Sequence, residues 1–336
     1  MKKLVSILIP AYNAEKWMDE TIQSAKNQVW LHKEIIVVDD GSKDETYNIA
    51  RRYESNTVKV IRQENKGACA ARNAAFALAQ GEYIQWLDAD DVLAPDKISR
   101  QLEFFNHGEV DPDILLSSSF GKFYYSTKRP KLVPNRLWQD LTPVEYFLYK
   151  FNEGIWMNPA VFLVSRKITE SAGPWNEDFI RDNDGEYFCR VVSVSKMIKF
   201  IPEARCFYRK GHTSLTTNRS ENALESMFLV RCLCIEYLLS LENSERTRSA
   251  SLIFMQSMLS LLYPKRNNPR VSKIIENMNT FAVNLGGRLS PPKYKWKYAI
   301  IKHIFGQKAA EYMKGVDSKI RVVIRKKKEQ LYHILT

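Results

Sequence analysis

Residues 81–91 read Gly81-Glu82-Tyr83-Ile84-Gln85-Trp86-Leu87-Asp88-Ala89-Asp90-Asp91, an aromatic and apolar run that ends in three carboxylates within four positions. The run predicts a buried strand. Crowded carboxylates repel one another, so the cluster indicates a bound cation. In an extended chain Asp88 and Asp90 point to one side and Asp91 to the other, which gives two carboxylates to a hard divalent cation. The alternative is a solvated strand-to-helix turn in which one Asp supports the helix that Pro95 opens.

Three earlier segments show the same order of strand, loop and helix. Strand candidates are residues 5–10, 34–38 and 58–61, and helix candidates include residues 44–53 and 68–79. Four such repeats in about 95 residues predict right-handed crossovers and a mostly parallel sheet flanked by helices, which is the α/β class.

Ligands of parallel sheets bind beyond the carboxyl ends of the strands. Here those ends carry an aromatic ring, four carboxylates and an amine: Tyr12, Asp39, Asp40, Asp88, Asp90 and Lys66. Such groups suit a base, a ribose and a diphosphate with its metal. The first strand is not followed by Gly-x-Gly-x-x-Gly, and the chain has no Gly-Lys-Ser/Thr loop, so the dinucleotide and P-loop interpretations lack their glycines.

Four segments, in this order, resemble the family-2 glycosyltransferases. They are residues 6–15 (Ser-Ile-Leu-Ile-Pro-Ala-Tyr-Asn-Ala-Glu), residues 37–46 (Val-Val-Asp-Asp-Gly-Ser-Lys-Asp-Glu-Thr), residues 65–73 with Asn-Lys-Gly and Ala-Arg-Asn, and residues 86–91 (Trp-Leu-Asp-Ala-Asp-Asp). The resemblance covers about the first 215 residues and implies a Rossmann-like nucleotide-sugar-binding fold. It also implies a metal-dependent, inverting transfer from a nucleotide diphosphate sugar.

The resemblance also implies roles for individual residues. Tyr12 would stack on the base, and Asp39 would accept a hydrogen bond from it. Asp88 would lie near the ribose, and Asp90 would bind the Mn or Mg ion that bridges the diphosphate. The same segments place further residues at the donor: Pro10, Ala11, Glu15, Asp40, Lys66 and Ala89.

A catalytic base is expected further along the chain. A sugar hydroxyl has a very high pKa, so a carboxylate must take its proton as the new bond forms. The family has a Glu-Asp pair ahead of an Arg, and alignment on Arg190 puts Asn183 and Asp184 on that pair. Asp184 is therefore the predicted base, with Asp182 and Glu186 as alternatives. A helix start that simply gathers acids at its positive end also explains the pattern.

Two more segments have candidate roles. Trp156 would stack on an acceptor sugar, although a core position explains it equally well. Arg209 and His212 follow the family's closing strand and would offset the negative charge that grows on the leaving diphosphate. A solvated basic loop is the alternative for these two residues.

Charge and composition divide the chain. Residues 291–336 hold 12 Lys and Arg against 3 Asp and Glu, whereas the 336-residue chain has a net charge of +12. We expect a catalytic domain over residues 1–218, with a nucleotide-binding half (1–110) and an acceptor-binding half (111–218). A helical region (219–290) and a basic amphipathic tail (291–336) follow. The tail suits an anionic membrane surface or packing on the domain, and no motif supports nucleic-acid binding.

The cysteines and the apolar runs predict a cellular location. Five cysteines without framework spacing indicate free thiols in a reducing compartment. The helical runs at residues 221–241 and 247–263 are interrupted by polar residues and are too short to span a bilayer. A cytoplasmic protein, peripheral on the inner face of the cytoplasmic membrane, is expected.

The expected function is transfer of a sugar, with a UDP-sugar favoured, to a hydroxyl of a glycan or lipid-linked acceptor in cell-surface polysaccharide synthesis. Sugars carried on dTDP or GDP are alternative donors. One alternative is a sugar nucleotidyltransferase, although its Gly-rich loop is absent after the first strand. The other is a catalytically silent sugar- or lipid-binding protein of the same fold.

Overall fold

The centre of the fold is β1 (Val5–Ala11), in which all seven residues are buried. A continuous apolar strand of this kind is typical of a parallel sheet covered on both faces. The structure is a computed structural model that describes residues 3–103, 111–128, 130–210 and 220–292. The other strands in this part of the chain are β2 (Lys33–Asp39), β3 (Val58–Arg62), β4 (Tyr83–Trp86), β5 (Val92–Leu93), β6 (Ile114–Phe123), β7 (Lys131–Leu132), β8 (Val164–Ser165) and β9 (Met197–Arg209).

Helices alternate with the first strands, and the described elements after β9 are all helical. They are α1 (Met18–Lys26), α2 (Thr46–Arg51), α3 (Ala68–Leu78), α4 (Lys97–Glu103), α5 (Pro143–Glu153), α6 (Arg166–Ala172), α7 (Asn183–Ser193), α8 (Glu221–Leu241), α9 (Glu245–Leu262) and α10 (Pro269–Asn284). Short 3-10 helices occupy Pro159–Val161 and Tyr263–Lys265.

Two sheets meet at the carboxyl end of β4. The first has the order β3-β2-β1-β4-β8, with parallel pairing except between β4 and β8. The second has the order β5-β9-β6-β7, with β6 parallel to β9. The predicted α/β class, with four strand–helix repeats around a mostly parallel sheet, is confirmed. Because the strand order reverses at β1, a crevice opens beyond the ends of β1 and β4, where such sheets bind ligands.

An aromatic cluster ties α7 to the end of β4. The Tyr187 ring stacks on Trp175 with ring centroids 3.9 Å apart. Trp86 meets both rings edge-on, with its centroid 5.3 Å from Trp175 and 5.8 Å from Tyr187. Edge-to-face and stacked pairs add about 0.5–1.5 kcal/mol each to the burial of their area. The cluster therefore fixes the start of α7 relative to the acidic turn that follows β4.

Helix α8 packs on α7, and α9 and α10 pack on α8. Ser226 Oγ of α8 donates to the Arg181 carbonyl at 3.2 Å, and Tyr237 OH donates to the Glu186 carboxylate at 2.8 Å. The helical region predicted after the catalytic domain is confirmed by α8, α9 and α10. In the described part of the chain, no helix is both long enough and apolar enough to cross a bilayer. The domain boundary at residue 218 stays a prediction, and residues 293–336 of the predicted tail lie outside the described residues.

Lys97 gives the fold an expected pH dependence. The side chain is fully buried, Nζ donates to Gln85 Oε1, and no carboxylate pairs with it among the residues described. Burial lowers the pKa of Lys97 from 10.5 to about 7. Between these two values the unfolded chain binds more protons than the folded chain, so the free energy of unfolding rises with pH.

We expect the free energy of unfolding to increase by about 2 kcal/mol between pH 7 and pH 9 because of Lys97 alone. The Lys97→Met variant should lose this increase. Urea unfolding at the two pH values, followed by circular dichroism, measures the difference. Lys59 is exposed on the edge strand β3, and Lys59→Met should keep the wild-type slope. An unchanged slope in Lys97→Met would contradict the assignment.

Candidate active site

One cavity of about 1050 Å³ begins at the carboxyl ends of β1 and β4 and extends to the C-terminal helices. Its donor end is lined by the turn after β1 and the start of α3, including Pro10, Ala11, Tyr12, Asp40 and Gly67. Its middle is lined by the acidic turn and the start of α7, including Arg72, Asp88, Ala89, Asp90, Asp182 and Asp184. Its far end is lined by α5, α8 and α9. A cavity of this size suits a ligand larger than a nucleotide alone.

The turn after β1 offers an aromatic ring at the mouth of the cavity. Tyr12 is 47% exposed, although it follows a fully buried strand. The next residue, Asn13, holds the turn: its N–H donates to Ser42 Oγ at 2.9 Å, and its Oδ1 accepts the Lys43 N–H at 2.9 Å. Tyr12 is therefore held in position to stack on a planar ligand.

Asp39 ends β2 with one carboxylate oxygen in use and one unused. Oδ2 lies 3.2 Å from Arg62 Nε and accepts the Ser42 N–H at 3.3 Å. Oδ1 is buried and accepts no hydrogen bond from the described residues. A buried acceptor without a donor is unfavourable, so this oxygen is consistent with a ligand N–H. Asp39 is fully buried and lies behind the cavity lining.

Asp40 lines the cavity, but its carboxylate holds a loop. Oδ1 accepts the Lys66 N–H at 2.9 Å, and Oδ2 accepts the Gly67 N–H at 2.8 Å. Gly67 adopts a φ of +95°, which favours glycine. The Lys66 side chain is exposed and lies outside the cavity lining. Asp40 therefore orients the turn that begins α3, and a donor contact by Lys66 stays a prediction.

The acidic turn points its carboxylates in two directions. These are the predicted directions, but the reason differs, because residues 88–91 are not extended and form a turn in which the Asp91 N–H donates to the Asp88 carbonyl at 3.0 Å. Asp88 and Asp90 line the cavity, whereas Asp91 is buried beneath it. Asp91 Oδ1 accepts the Arg209 N–H at 2.9 Å, and Oδ2 accepts Asn158 Nδ2 at 2.7 Å. Burial, followed by Asp90 and Asp88, raises the pKa of Asp91 well above its usual range, and the two donated hydrogen bonds oppose that shift.

The donor set at this turn fits a hard divalent cation. Carboxylate oxygens from Asp88 and Asp90 face the same cavity. In the described ranges no three His, Cys, Asp or Glu side chains form a complete metal site. Such a partial set suits a cation that takes its other ligands from water and a substrate diphosphate.

Arg72 is a site residue whose role the sequence did not reveal. It is 6% exposed, and Nη2 donates to Asp88 Oδ1 at 2.8 Å. Its guanidinium lies 4.3 Å from the centroid of the Trp175 ring. Nε and Nη1 are buried without a hydrogen-bond partner in the described residues. These donors suit anionic ligand oxygens. The signal was present in the Ala-Arg-Asn segment, which contributed to the family resemblance but suggested no function.

Of the three candidate bases, the structure places Asp182 and Asp184 at the cavity and Glu186 in the interior. Glu186 is buried, and its Oε1 lies 2.6 Å from Arg190 Nε and accepts a hydrogen bond from Tyr237 OH at 2.8 Å. Its carboxylate is therefore already engaged by neighbouring side chains. Asp182 and Asp184 both line the cavity. Burial, followed by Asp182, raises the pKa of Asp184, while Arg72 opposes the shift. A carboxylate with a raised pKa is a stronger base once ionised.

Arg209 lies beneath the cavity and does not line it. It is 2% exposed, its Nη2 pairs with Glu20, and its Nε donates to the Asp90 carbonyl at 2.9 Å. Trp17 and Phe123 pack on the guanidinium, at 4.4 and 4.3 Å from their ring centroids. Arg209 thus holds the acidic turn in place, and its predicted contact with the diphosphate stays a prediction.

The remaining predicted residues differ in position. Glu15 accepts the Glu45 N–H at 3.2 Å and lies outside the cavity lining. Trp156 lines the cavity and meets Tyr208 edge-on at 5.3 Å between centroids. His212 lies outside the described residues.

Comparison with known proteins identifies the family. The profile described as Glycosyl transferase family 2 matches residues 6–169. An uncharacterized glycosyltransferase of Rickettsia prowazekii (strain Madrid E) is 45% identical over 228 residues, which cover 66% of this chain and 68% of that protein. The chain belongs to glycosyl transferase family 2. It is therefore a glycosyltransferase, and the expected family is confirmed.

Two further relatives match about a third of this chain, and the chain spans less than half of their length. TuaG of Bacillus subtilis (strain 168), named for teichuronic acid biosynthesis, is 43% identical over 106 residues, or 31% of this chain and 42% of TuaG. WfaP of Escherichia coli, named as a UDP-Glc:alpha-D-GlcNAc-diphosphoundecaprenol beta-1,3-glucosyltransferase, is 39% identical over 109 residues, or 32% of this chain and 43% of WfaP.

Solved structures share the fold of this glycosyltransferase. S. aureus TarS 1-349 in complex with UDP-GlcNAc superposes with a TM-score of 0.58 at 17% identity, covering 84% of this chain and 88% of that one. The mannosyltransferase PcManGT of Pyrobaculum calidifontis, in complex with GDP-Man and Mn2+, superposes with a TM-score of 0.54 at 15% identity, covering 85% of each chain.

The Asp91 hydrogen bonds predict a large effect on stability. Asp91→Ala leaves the Arg209 N–H and the Asn158 amide without their buried acceptor. Each unsatisfied donor costs about 1–3 kcal/mol, so the free energy of unfolding should fall by roughly 2–6 kcal/mol in urea titrations. The control Asp96→Ala removes only an exposed pair with Arg100 and should cost less than about 1 kcal/mol. Equal losses in the two variants would contradict the structural role of Asp91.

Proposed function

We propose that this glycosyltransferase transfers a sugar from a UDP-sugar, with inversion, to a hydroxyl of a glycan or lipid-linked acceptor in cell-surface polysaccharide synthesis. The observation that carries the proposal is that Arg72, Asp88, Asp90 and Asp184 line one cavity. Groups that could bind a diphosphate and its metal thus line the same cavity as a carboxylate that could accept a proton. The names of TuaG and WfaP support the process.

The donor end supports a pyrimidine nucleotide. Tyr12 is exposed beside the carboxyl ends of the strands, where a base would stack on it. The unused oxygen of Asp39 would accept a ring N–H, and uracil presents one. TarS was solved with UDP-GlcNAc, which agrees with UDP, whereas PcManGT was solved with GDP-Man. The order of preference proposed is UDP, then dTDP, then GDP.

The diphosphate would be held by cationic groups. Arg72 carries two buried donors without partners in the described residues, and both suit phosphoryl oxygens. Asp90, with Asp88 beside it, would hold a Mn or Mg ion, which when bound neutralises negative charge on the diphosphate. The Arg72–Asp88 ion pair at 2.8 Å keeps both side chains oriented before the donor arrives.

Asp184 is the proposed base. The acceptor hydroxyl would lie between this carboxylate and the anomeric carbon, so that Asp184 takes the proton while the oxygen forms the new bond. Attack would come from the face opposite to the nucleotide, the bond between the anomeric carbon and the diphosphate oxygen would break, and UDP would leave, which inverts the anomeric configuration. Burial raises the pKa of Asp184, which makes the ionised carboxylate a better proton acceptor than an exposed one.

Titration with nucleotides tests the donor site. Isothermal titration calorimetry with UDP, dTDP and GDP, with and without manganese, should show the tightest binding for UDP. The Asp90→Asn variant should lose at least 10-fold of the affinity seen with manganese and keep the affinity seen without it, because one charged oxygen ligand is removed. Asp88→Asn should change the affinity less. Tightest binding of GDP would reject the UDP assignment, and full transfer by Asp90→Asn in metal-free buffer would reject the metal site.

Turnover tests the base. Asp184→Asn should leave UDP affinity nearly unchanged and lower kcat by roughly 100-fold or more, which is the usual contribution of a positioned base. Release of UDP from a UDP-sugar with a panel of acceptors measures kcat. Glu186→Gln is the matched comparison: it should lower stability through its lost pairs but should not reproduce a loss confined to kcat.

The pH profile gives a second measurement of the base. Because burial raises the Asp184 pKa, activity should fall, as the pH is lowered, at a pH above the usual range of an aspartate. If Asp182→Asn loses turnover while Asp184→Asn stays active, the base is Asp182. A protein that binds UDP but releases none from any UDP-sugar would be a silent member of the fold.

The acceptor and the location remain parts of the proposal. WfaP is named for an acceptor linked to diphosphoundecaprenol, and the basic tail over residues 291–336 suits an anionic membrane surface. The proposed location is the cytoplasm, with peripheral contact to the inner face of the cytoplasmic membrane.

A further inference from the structure

The far end of the cavity is not needed by the donor or by the base. It lies beyond Asp184 and is lined by Lys150 of α5, by Arg231 and Cys234 of α8, and by Phe254 of α9. Two of these side chains are cations, although the wall is otherwise largely apolar. Cations placed in a largely apolar wall have lost water, so their positions call for a counter-charge.

Arg231 is held rigidly without a carboxylate. Its guanidinium lies 4.0 Å from the centroid of the Phe254 ring, which itself stacks on Phe151 at 4.0 Å. Nη1 donates to the Phe254 carbonyl and to Ser257 Oγ, and both acceptors are neutral. Nε is buried and unpartnered within the described residues. An oriented guanidinium of this kind binds planar or tetrahedral oxyanions with two donors.

Lys150 lines the same wall and, like Arg231, forms no ion pair with a carboxylate of the described residues. In the described part of the chain its Nζ has no hydrogen bond or ion pair. Its charge acts on the Cys234 thiol and on Asp184, whereas the charge of Asp182 acts on Arg231. Lys150, Arg231 and Cys234 line the same cavity as Asp182 and Asp184. Balancing Asp182 and Asp184 through space is the competing explanation, and it predicts no preference among acceptors.

We propose that Lys150 and Arg231 form an acceptor subsite for a phosphoryl group carried next to the sugar that receives the new bond. The inference rests on the proposed glycosyl transfer and names the chemical class of its acceptor. Two positive charges match the phosphoryl oxygens of a diphosphate or of a phosphodiester. The subsite lies beyond Asp184, so an acceptor hydroxyl at Asp184 and a phosphoryl group at the cations belong to one extended ligand.

Binding is tested with the donor site already filled. With UDP and manganese at saturation, thermal shift of the full chain is measured against an alkyl diphosphate glycoside, a polyol phosphate oligomer and a neutral alkyl glycoside of the same sugar. We expect stabilisation by at least one phosphorylated compound and not by the neutral one. The compound that stabilises distinguishes a lipid headgroup from a polymer phosphate. This arm does not require turnover, so it separates failure of the subsite from failure of the proposed transfer.

Kinetics then assigns the residues. The ratio of kcat/KM for the phosphorylated glycoside to kcat/KM for the neutral glycoside should fall about 10- to 100-fold in Lys150→Met and in Arg231→Gln, mainly through KM. The UDP affinity of both variants should match that of the wild type, which also shows that they fold. Lys150→Arg should recover most of the ratio, and the control Lys59→Met should leave it unchanged.

Three results would overturn the subsite. The first is equal loss toward phosphorylated and neutral acceptors, which would assign the two cations to the balance of Asp182 and Asp184. The second is a wild-type enzyme with no preference for phosphoryl-bearing acceptors. The third is a preference for acceptors that carry a carboxylate and no phosphate, which would replace the phosphoryl group by a uronate.

Discussion

The Asp91 carboxylate is the buried contact on which the geometry of the site depends. It accepts the Arg209 N–H from β9 and the Asn158 amide from the start of a 3-10 helix, while its own backbone continues the turn after β4. Three segments far apart in the chain are thereby joined at one carboxylate. Asp91 is buried while Asp88 and Asp90 line the cavity, and Arg209 holds the turn from below through the Asp90 carbonyl.

A second constraint sets the distance between the two chemical halves of the site. The acidic turn and the base are about 95 positions apart in sequence, a separation at which only tertiary packing can hold two groups in register. Trp86 ends β4, Tyr187 lies in the first turns of α7, and the rings of Trp86, Trp175 and Tyr187 all contact one another. The aromatic cluster thus sets the distance between the start of α7, which carries Asp184, and the acidic turn after β4. Glu186, bound by Arg190 and Tyr237, fixes the rotation of α7 about its own axis.

Much of this could be predicted from the sequence because it depends on short-range patterns. The parallel sheet follows from strand–helix alternation. The direction of Asp88 and Asp90 does not follow from the two-residue period of a strand, because residues 88–91 form a turn in which the Asp91 N–H donates to the Asp88 carbonyl. The roles of Arg72, Glu186 and Arg209 could not be predicted in this way. Their long side chains reach partners on other elements, and spacing along the chain does not reveal where a flexible side chain ends. The paired states of Glu186 and Arg209 and the unpaired donors of Arg72 are properties of the assembled fold.

The contribution of α8 and α9 to the cavity wall has a consequence for how such enzymes diversify. The nucleotide end is built from the first 90 or so residues, whereas the far wall comes from α5 and from helices that follow β9. Under the proposed function, recognition of the sugar donor and of the acceptor would thus be encoded in separate stretches of the gene. Exchange of the later stretch alone would redirect the same activated sugar to a different glycan. A lineage could then vary its surface polymers while its nucleotide-sugar supply stays constant.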